Sequence, residues 1–255
     1  MFVEERHEKI LQLLYENGKV KVKELSERFQ VTEDCIRKDL ASMEGRQLLK
    51  RTYGGAVLRE SMHPGHSTFV AKRKDVNTKE KRKIASKAIG LIEDGDVIFL
   101  DISTTNLELA KEIIQSGKKI TVVSCMLDIA NLFDAETNAR FILLGGEFHK
   151  SLNSYLGSLT MDMMDAFRFD QCFMGVVGAD LEENTLTTYD PEDGMMKKNA
   201  IQRSRKVYLV METKKFDFHA NYVYGNFEQV KGIICEGMPK EKYISLLQDY
   251  QVEII

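Results

Sequence analysis

Four short polar segments of the chain directly follow apolar, β-rich runs. They are Asp101-Ile102-Ser103-Thr104-Thr105, Ser124-Cys125-Met126, Gly145-Gly146 and Glu212-Thr213-Lys214-Lys215. In open parallel sheets, ligands bind at the carboxyl ends of strands, where loops lead into helix N-termini. The first segment offers hydroxyls and free backbone N–H groups, which suit an anion. Ser-Thr-Thr is also an ordinary helix cap and Gly-Gly an ordinary turn, so it is their shared position that predicts a ligand site.

Residues 32–43 have the types and spacing of a helix that contacts DNA. Thr32 is expected to cap this helix, whose core side carries Ile36, Leu40 and Met43 at i, i+4 and i+7. The opposite side then carries Glu33, Asp34, Arg37 and Lys38. Arg37 and Lys38 are therefore placed to face a DNA groove.

The residues after this helix are basic and contain a glycine turn. No Asp or Glu lies between Gly45 and Arg59, and the basic residues there are Arg46, Lys50, Arg51 and Arg59. Gly54-Gly55 tolerates positive φ, as a tight hairpin requires. A basic hairpin beside a recognition helix is well placed to bind DNA phosphates. The order of helix and basic hairpin along the chain therefore predicts a winged helix-turn-helix. The alternative is a small structural bundle with a solvated charged surface.

Two preceding helices would position the recognition helix. A helix over residues 3–16 would bury Ile10, Leu13 and Leu14, and Asn17-Gly18 would end it. A second helix over 23–29 would bury Leu25 and Phe29. Gln30-Val31 would then make the tight connection to the third helix.

The chain changes character after residue 78. Apolar runs bounded by turn signals recur there at 97–101, 120–125, 140–146, 172–178, 207–212, 232–235 and 252–255. Helical patterns such as 104–114 and 155–167 separate them, which indicates an α/β fold with a largely parallel sheet covered on both faces. Before residue 78 the apolar periodicity lapses, and Pro64-Gly65 marks a linker. We expect a winged helix-turn-helix domain at 1–58, a linker at 59–78 and an α/β effector-sensing domain at 79–255.

Composition excludes several classes of protein. The chain has 255 residues, of which 29% are charged and 43% hydrophobic, and no apolar run reaches the roughly 18 residues needed to cross a membrane. Its charged start is unlike a signal peptide, so we expect a cytoplasmic protein without membrane contact. The four cysteines are widely separated, which favours reduced thiols over disulfides or zinc. No nucleotide or zinc-hydrolase motif occurs, and we expect no cofactor and no metal.

The net charge of −3, from 36 basic and 39 acidic residues, would by itself argue against a partner of nucleic acid. The distribution of charge matters more than its sum. Besides the basic hairpin, a second basic cluster lies at residues 72–87. Its alternative interpretation is the solvated start of a helix.

Several strings in the chain resemble a known family. KELSERFQV (23–31), CIRKDL (35–40) and RTYGGAV (51–57) closely resemble the N-terminal domain of the DeoR family of bacterial transcriptional repressors. KRKIASKAIGLIEDGDVIFLD, LLGGEFHKSLNSYLG and KKNAIQRSRKVYLVMETKKF are similar to segments of the family's C-terminal domain. The resemblance thus covers nearly the whole chain. It implies a C-terminal domain that resembles sugar-phosphate isomerases and CoA transferases in fold and binds phosphorylated sugars or polyols.

The helical pattern, the basic hairpin and the resemblance together indicate two sets of functional residues. The residues expected to contact double-stranded operator DNA are Thr32, Glu33, Arg37, Lys38, Lys50, Arg51 and Tyr53. Those expected to contact the effector are Asp101, Ser103, Thr104, Thr105, Ser124, Cys125, Gly145, Gly146 and Lys215.

Some residues depart from the family's pattern. In the N-terminal domain, or head, Cys35, Lys38 and Tyr53 replace threonine, arginine and histidine. In the second domain, the departures are Ser103, Cys125, His149, Thr185 and Glu212. Lys38 keeps the charge of arginine but not its bidentate fork. A Cβ at Ser103 crowds the approach of a phosphate, and Cys125 is a poorer hydrogen-bond partner than asparagine. The pocket therefore either prefers an unusual effector or has lost sugar-phosphate binding.

These features favour a sequence-specific repressor of carbohydrate transport or catabolism genes, released from its operator by a phosphorylated sugar or polyol. Such a protein is expected to act as a homo-oligomer, a dimer or tetramer, on a two-fold operator. One alternative is a sugar-phosphate isomerase-like enzyme with an appended N-terminal domain, whose candidate bases are Asp101, Glu147, Asp193 and Glu212. No complete catalytic constellation is readable, so we expect no enzyme. A third hypothesis makes the winged helix a protein-interaction module.

Overall fold

A computed structural model describes residues 3–17, 19–45, 48–57 and 70–255 of the chain. The fold divides into two compact units, one within the first 67 residues and one from residue 68 onward. Arg46, Arg59 and Pro64-Gly65, which the sequence singles out, lie outside the described residues. The expected linker at 59–78 spans the division between the units, and its boundaries stay a prediction.

The first unit is a bundle of three helices with a small antiparallel sheet in the strand order β1-β3-β2. Its elements are α1 (Val3–Asn17), β1 (Lys19–Lys21), α2 (Val22–Phe29), α3 (Glu33–Gly45), β2 (Lys50–Thr52) and β3 (Gly55–Val57). The buried core contains Ile10, Leu13, Leu14, Val20, Val22, Leu25, Ile36, Leu40, Met43, Leu49 and Ala56. The predicted winged helix-turn-helix is confirmed, and β1 is the element that the sequence did not indicate.

Backbone geometry fixes the turn between α2 and α3. Gln30, which ends α2, has a left-handed backbone with φ 53°, a common way for a helix to stop. The N–H of Cys35 donates to the Thr32 hydroxyl at 3.2 Å. Thr32 therefore caps α3, as its residue type predicts.

The second unit is built on a seven-stranded sheet in the order β15-β14-β12-β9-β4-β5-β6, with all pairings parallel. These strands are β4 (Val97–Leu100), β5 (Thr121–Ser124), β6 (Arg140–Leu143), β9 (Phe169–Gly175), β12 (Ser204–Val210), β14 (Gly232–Ile234) and β15 (Glu253–Ile254). Each overlaps one of the predicted apolar runs, although β9 and β12 begin three residues before theirs. Consecutive residues in β4 and β9 are buried, so both faces of the sheet are covered, as expected.

The helices of this unit alternate with the strands. They are α4 (Val70–Arg73), α5 (Thr78–Ala88), α6 (Thr104–Ser116), α7 (Leu127–Ala130), α8 (Ser158–Asp165), α9 (Pro191–Arg203) and α10 (Glu241–Asp249). Short 3-10 turns lie at Ile89–Leu91, Thr213–Asp217 and Phe227–Gln229. No helix within the described part of the chain has both the length and the apolarity that crossing a bilayer requires.

Two small antiparallel sheets were not predicted. One is the hairpin of β7 (Glu147–His149) and β8 (Ser154–Leu156), and the other joins β10 (Gly178–Asp180), β11 (Thr185–Thr188) and β13 (Tyr222–Gly225). The predicted helix over 155–167 therefore begins too early. Gly157, with φ 91°, separates β8 from α8 because that backbone conformation suits glycine and cannot continue a helix.

Candidate functional site

The recognition helix α3 presents the faces that its sequence predicts. Ile36, Leu40 and Met43 are at most 1% exposed, while Arg37 and Lys38 lie on the exposed side. Thr32 and Glu33 are also exposed at the start of this helix. The predicted DNA-contacting residues of α3 thus share one solvent-facing surface.

Arg37 is held by two carboxylates of its own helix. Its guanidinium lies 2.6 Å from Glu33 Oε2 and 2.7 Å from Asp34 Oδ1. All three side chains are more than two-fifths exposed, and such surface pairs contribute at most about 1 kcal/mol. They orient the guanidinium without locking it, so it is able to exchange a carboxylate for a base edge.

The wing projects an aromatic ring and two basic side chains. Lys50 and Arg51 on β2 are exposed, and Tyr53 at the tip is fully exposed. Gly54 takes φ 81°, as the predicted turn requires. Gly55 is needed for a different reason: a Cβ there would lie 2.0 Å from the Val20 carbonyl oxygen of β1.

Asp39 is a structurally important residue of the first unit that was not predicted from the sequence. It is 5% exposed, and its carboxylate accepts from the Arg6 guanidinium at 2.6 and 3.0 Å. The His7 Nε2 atom lies 3.2 Å from the same carboxylate. The ion pair ties α1 to α3 beneath the exposed surface. A charged residue on the core side of an amphipathic helix was the available signal.

In the second unit, the predicted effector residues gather at the carboxyl ends of adjacent strands. Asp101 follows β4, Ser124 ends β5 and Cys125 follows it, Gly145 and Gly146 follow β6, and Lys215 follows β12. All of the non-glycine members are at most 8% exposed: Asp101, Ser103, Thr104, Thr105, Ser124, Cys125 and Lys215. The sheet order brings them to one edge because β12, β4, β5 and β6 lie within five consecutive strands.

The N-terminus of α6 is not the open anion cradle that the sequence suggested. The Ser103 hydroxyl accepts from the N–H groups of Thr105 and Asn106 at 3.1 and 3.2 Å. Two donors that an anion would use are therefore bound to the chain itself. Gly175 makes room for this cap, because a Cβ at that position would lie 2.4 Å from the Ser103 Cβ.

Several other predicted contacts have structural roles. The Cys125 thiol lies 3.2 Å from the Met196 sulfur, and burial raises its pKa far above the ordinary value. The Ser124 hydroxyl accepts from the Met126 N–H at 3.1 Å. A Cβ at Gly146 would lie 2.1 Å from the Thr160 hydroxyl, so this glycine is required for packing against α8. Gly145 accepts from the same hydroxyl through its carbonyl at 2.8 Å.

Asp101 belongs to a fully buried ion network. The Lys197 ammonium of α9 donates to Asp101 Oδ2 and lies 3.5 Å from Asp193 Oδ1. Asn106 Nδ2 donates to Asp101 Oδ1 at 2.6 Å, and the Thr188 hydroxyl donates to Asp193 at 2.7 Å. The network fixes two carboxylates and one ammonium at the edge of the sheet.

Burial and charge oppose each other in this network. Burial lowers the pKa of Lys197, but the charges of Asp101 and Asp193 outweigh it and raise the pKa above its ordinary value. Burial raises the pKa of Asp193, which Lys197 counteracts. Asp101 and Asp193 are two of the candidate bases predicted from the sequence, whereas Lys197 was not predicted. Its spacing of four residues from Asp193 on one helix was the available signal.

The four candidate bases do not converge on one point. Glu147 lies on the exposed hairpin strand β7. Glu212 accepts from Asn77 Nδ2 at 2.5 Å and pairs with Lys214 at 2.9 Å. Only Asp101 and Asp193 of this set share a hydrogen-bonded or ion-paired partner within the described residues.

Two buried lysines near Glu212 donate their hydrogen bonds to neutral backbone carbonyls. Lys215 donates to the Val176 carbonyl, and Lys81 of α5 donates to the Arg73 carbonyl at 2.5 Å. Burial lowers the pKa of Lys215 to about 7 and that of Lys81 to about 8. Lys81 belongs to the basic cluster at 72–87, so part of that cluster is not the solvated helix start that was its alternative interpretation.

Comparison with known families gives two matches. The family model described as "DeoR-like helix-turn-helix domain" matches residues 6–62. The model described as "DeoR C terminal sensor domain" matches residues 76–237. Together they cover both units of the structure.

Curated relatives are similar over most of their length. The lactose phosphotransferase system repressor of Lactococcus lactis subsp. lactis is 34% identical over 213 residues, which cover 83% of this chain and 82% of the relative. The glycerol-3-phosphate regulon repressor of Escherichia coli (strain K12) is 30% identical over 98% of this chain and 97% of the relative. The HTH-type transcriptional repressor GlcR of Bacillus subtilis (strain 168) is 29% identical over 100% and 96%.

Solved structures show weaker similarity. Translation initiation factor eIF-2B from Pyrococcus horikoshii OT3 gives a TM-score of 0.45 at 16% identity, covering 95% of this chain and 91% of that one. Ribose 5-phosphate isomerase A from Neisseria gonorrhoeae gives 0.39 at 16% identity, covering 53% and 52%.

Proposed function

The chain belongs to the DeoR family of helix-turn-helix transcriptional regulators, and on that premise we propose that it represses carbohydrate genes until a phosphorylated sugar or polyol releases it from DNA. The observation that carries this proposal is the buried set of ionisable side chains where the strands end. Carboxylates that accept from sugar hydroxyls lie there beside cations that suit a phosphate.

The head supplies the DNA-reading part of the function. We infer that Arg37 and Lys38 reach base edges in the major groove, while Lys50, Arg51 and Tyr53 of the wing contact the backbone. Thr32 and Glu33 complete this surface at the start of α3. Family membership implies DNA binding, which favours this role over that of a protein-interaction module.

The regulator is favoured over the enzyme alternative. The curated relatives reported above are repressors by name, and their names include the lactose phosphotransferase system and the glycerol-3-phosphate regulon. These names support a sugar or polyol phosphate as the class of effector here. In this interpretation, the buried carboxylates of Asp101 and Asp193 bind hydroxyl groups of the effector instead of acting as catalytic bases.

Oligomeric assembly is part of the proposal. A single recognition helix contacts few base pairs, so two heads on a two-fold operator are needed for specific affinity. We therefore propose a homodimer or homotetramer, for which sedimentation of the full chain is the direct measurement.

Selection of duplexes from a random DNA pool tests the function. We expect the full chain to enrich one sequence with two-fold symmetry, and a phosphorylated sugar or polyol to release it from that sequence while its unphosphorylated counterpart does not. Failure to enrich any sequence would contradict the DNA-reading part. Retention of the selected DNA in the presence of every hexose, pentose and polyol phosphate tested would contradict the sensing part.

A further inference from the structure

The short helix α4 lies over the carboxyl edge of the sheet. The Val70 N–H donates to the Ser151 carbonyl in the β7–β8 hairpin at 3.0 Å. Lys74, just after α4, pairs with Asp128 of α7 at 2.6 Å. Val70 itself is completely buried in the core of the second unit. The segment 70–74 is therefore held against two elements that follow β5 and β6, where the effector residues gather.

Arg73 on this helix is partly buried, and its guanidinium lies near the ion network. Its Nε atom is buried and has no hydrogen-bond partner within the described residues. Burial lowers the pKa of the guanidinium, and the charges of Asp193 and Asp101 oppose that shift. The guanidinium is thus electrostatically coupled to the network while one of its donors is unused.

Lys81 and Lys215 lie near Arg73 and are not paired directly with a carboxylate, although Glu212 acts on both at longer range. They are 4% and 8% exposed, and their ammonium groups donate to backbone carbonyls. Neither forms an ion pair with a described carboxylate, whereas Lys74, Lys197 and Lys214 each do. Burying a charge beside neutral acceptors alone is unfavourable. A bound anion would remove that penalty for all three cations.

We propose that Arg73, Lys81 and Lys215 form the phosphate subsite of the effector pocket, and that the bound phosphate fixes α4 against the sheet. This inference rests on the proposed function. An arginine fork and two point charges suit a group with three acceptor oxygens. The α6 N-terminus is the weaker site, because Ser103 already binds two of its N–H groups.

Through Arg73, the bound phosphate would contact the segment that follows the DNA-binding head in the chain. A ligand that binds tightly only when Arg73 is in place favours one arrangement of α4. DNA affinity changes if the two arrangements of this segment differ in how they hold the heads. Arg73 is therefore a residue through which effector binding and DNA release are coupled.

Calorimetric titration of the full chain tests the subsite. The probes are inorganic phosphate, a panel of hexose, pentose and polyol phosphates, and the unphosphorylated counterpart of each. We expect inorganic phosphate to bind weakly, at least one phosphorylated compound to bind tightly and no unphosphorylated one to do so. Arg73→Ala and Lys215→Met should each lower the affinity about tenfold or more, as loss of a charged hydrogen bond implies. Lys83→Ala, which removes an exposed charge from α5, should leave it unchanged.

Arg73→Lys separates the role of the fork from that of folding. It keeps the charge on α4, and we expect an affinity between those of the wild type and Arg73→Ala, with an unchanged circular dichroism spectrum.

If a sugar phosphate binds Arg73→Ala as tightly as the wild type but binds Thr104→Val poorly, the phosphate lies on α6 and the subsite is wrong while the sensor function stands. If inorganic phosphate binds in an Arg73-dependent way but no sugar phosphate does, the subsite stands and sugar sensing fails. Absence of any phosphate binding by the wild type would overturn both.

Hydrogen exchange gives a second readout. Phosphate or the tightest sugar phosphate should slow exchange of the backbone amides in residues 70–77 of the wild type, because a fixed α4 opens less often. The same ligand at saturation should slow them less in Arg73→Ala. Protection confined to the α6 N-terminus would contradict the proposed role of α4.

Discussion

Lys197 shows how a single buried cation holds the site together. It lies between Asp101 and Asp193, and its side chain is 3% exposed. Removing one partner of a buried ion pair leaves an uncompensated charge, which is more damaging than losing the pair as a whole. The stability of the second unit therefore depends on this residue.

We expect Lys197→Met to lower the free energy of unfolding by about 3–5 kcal/mol at pH 7. Without the ammonium, nothing on Lys197 counteracts the effect of burial on Asp193, whose pKa then rises further above the unfolded value of about 4. A carboxyl group with a raised folded pKa stabilises the protein at low pH and loses that contribution as the pH rises. The deficit should therefore be smaller at pH 5 than at pH 7 in denaturant titrations. Lys198→Ala, on the exposed side of α9, is the matched control. If Lys197→Met lost the same free energy of unfolding at both pH values, the explanation by uncompensated carboxylates would be wrong.

Arg37 and Lys50 differ in the kind of DNA contact that we assign to them. Arg37→Ala should weaken binding to the selected sequence by about 1–3 kcal/mol and change binding to random duplexes little. Lys50→Ala should weaken both alike and reduce the slope of affinity against salt concentration, because it removes a phosphate contact. Fluorescence anisotropy with both DNAs at several salt concentrations measures this. Equal losses on both DNAs for Arg37→Ala would exclude base readout by this residue.

At the scale of the element, the wing depends on a close backbone approach. β3 lies between β1 and β2, and Gly55 at its start sits against the Val20 carbonyl. A side chain at this position must push β1 and β3 apart. The basic hairpin therefore keeps its place beside α3 because residue 55 has no Cβ.

Gly55→Ala should lower the free energy of unfolding of the head by about 1–3 kcal/mol or more, the typical cost of overpacking. Gly45→Ala is the control, because a Cβ at Gly45 meets nothing within 4 Å and the residue lies in α3. That change should be neutral or slightly stabilising. Thermal unfolding of both variants followed by near- and far-ultraviolet circular dichroism compares them. Unfolding midpoints that agree for the two variants would disprove the packing argument.

At the scale of the whole molecule, two buried lysines make the proposed response to effector depend on pH. Burial lowers the pKa of Lys215 to about 7 and that of Lys81 to about 8. Glu212 opposes the shift at both lysines, and Arg73 and Lys214 add to it. A phosphate dianion binds the ammonium forms, so it must raise both pKa values when it binds.

Sugar-phosphate affinity should therefore fall about tenfold or more between pH 7 and pH 9. The ligand itself is a dianion across this range, because the second pKa of a phosphate monoester is about 6. The effector concentration that releases half of the selected DNA should rise in parallel. DNA binding without effector, measured at the same pH values, is the control. An affinity that does not change with pH would mean that neither lysine contacts the phosphate.

Local sequence patterns were enough to predict most of the elements and their buried faces. Ile36, Leu40 and Met43 define the core side of α3 because a helix repeats every 3.6 residues, and the apolar runs of the second unit identify its parallel strands because such strands are buried on both sides. The polar segments at strand ends follow from the same local rules. The family resemblance added the class of function, which family and relative comparisons confirm.

Which polar groups are available to a ligand, and which are already hydrogen-bonded within the chain, depends on the folded arrangement. Ser103 occupies the N–H groups of α6, and Lys197 comes 96 residues after Asp101 in the chain yet donates to its carboxylate. Arg73 lies in a segment expected to be a linker, but its Nε atom is buried and its guanidinium lies near the ion network. Periodicity records whether a residue faces inward, whereas the partner it meets there depends on contacts between segments distant in sequence. The balance of paired and unpaired charge at the effector site is therefore a property of the folded chain.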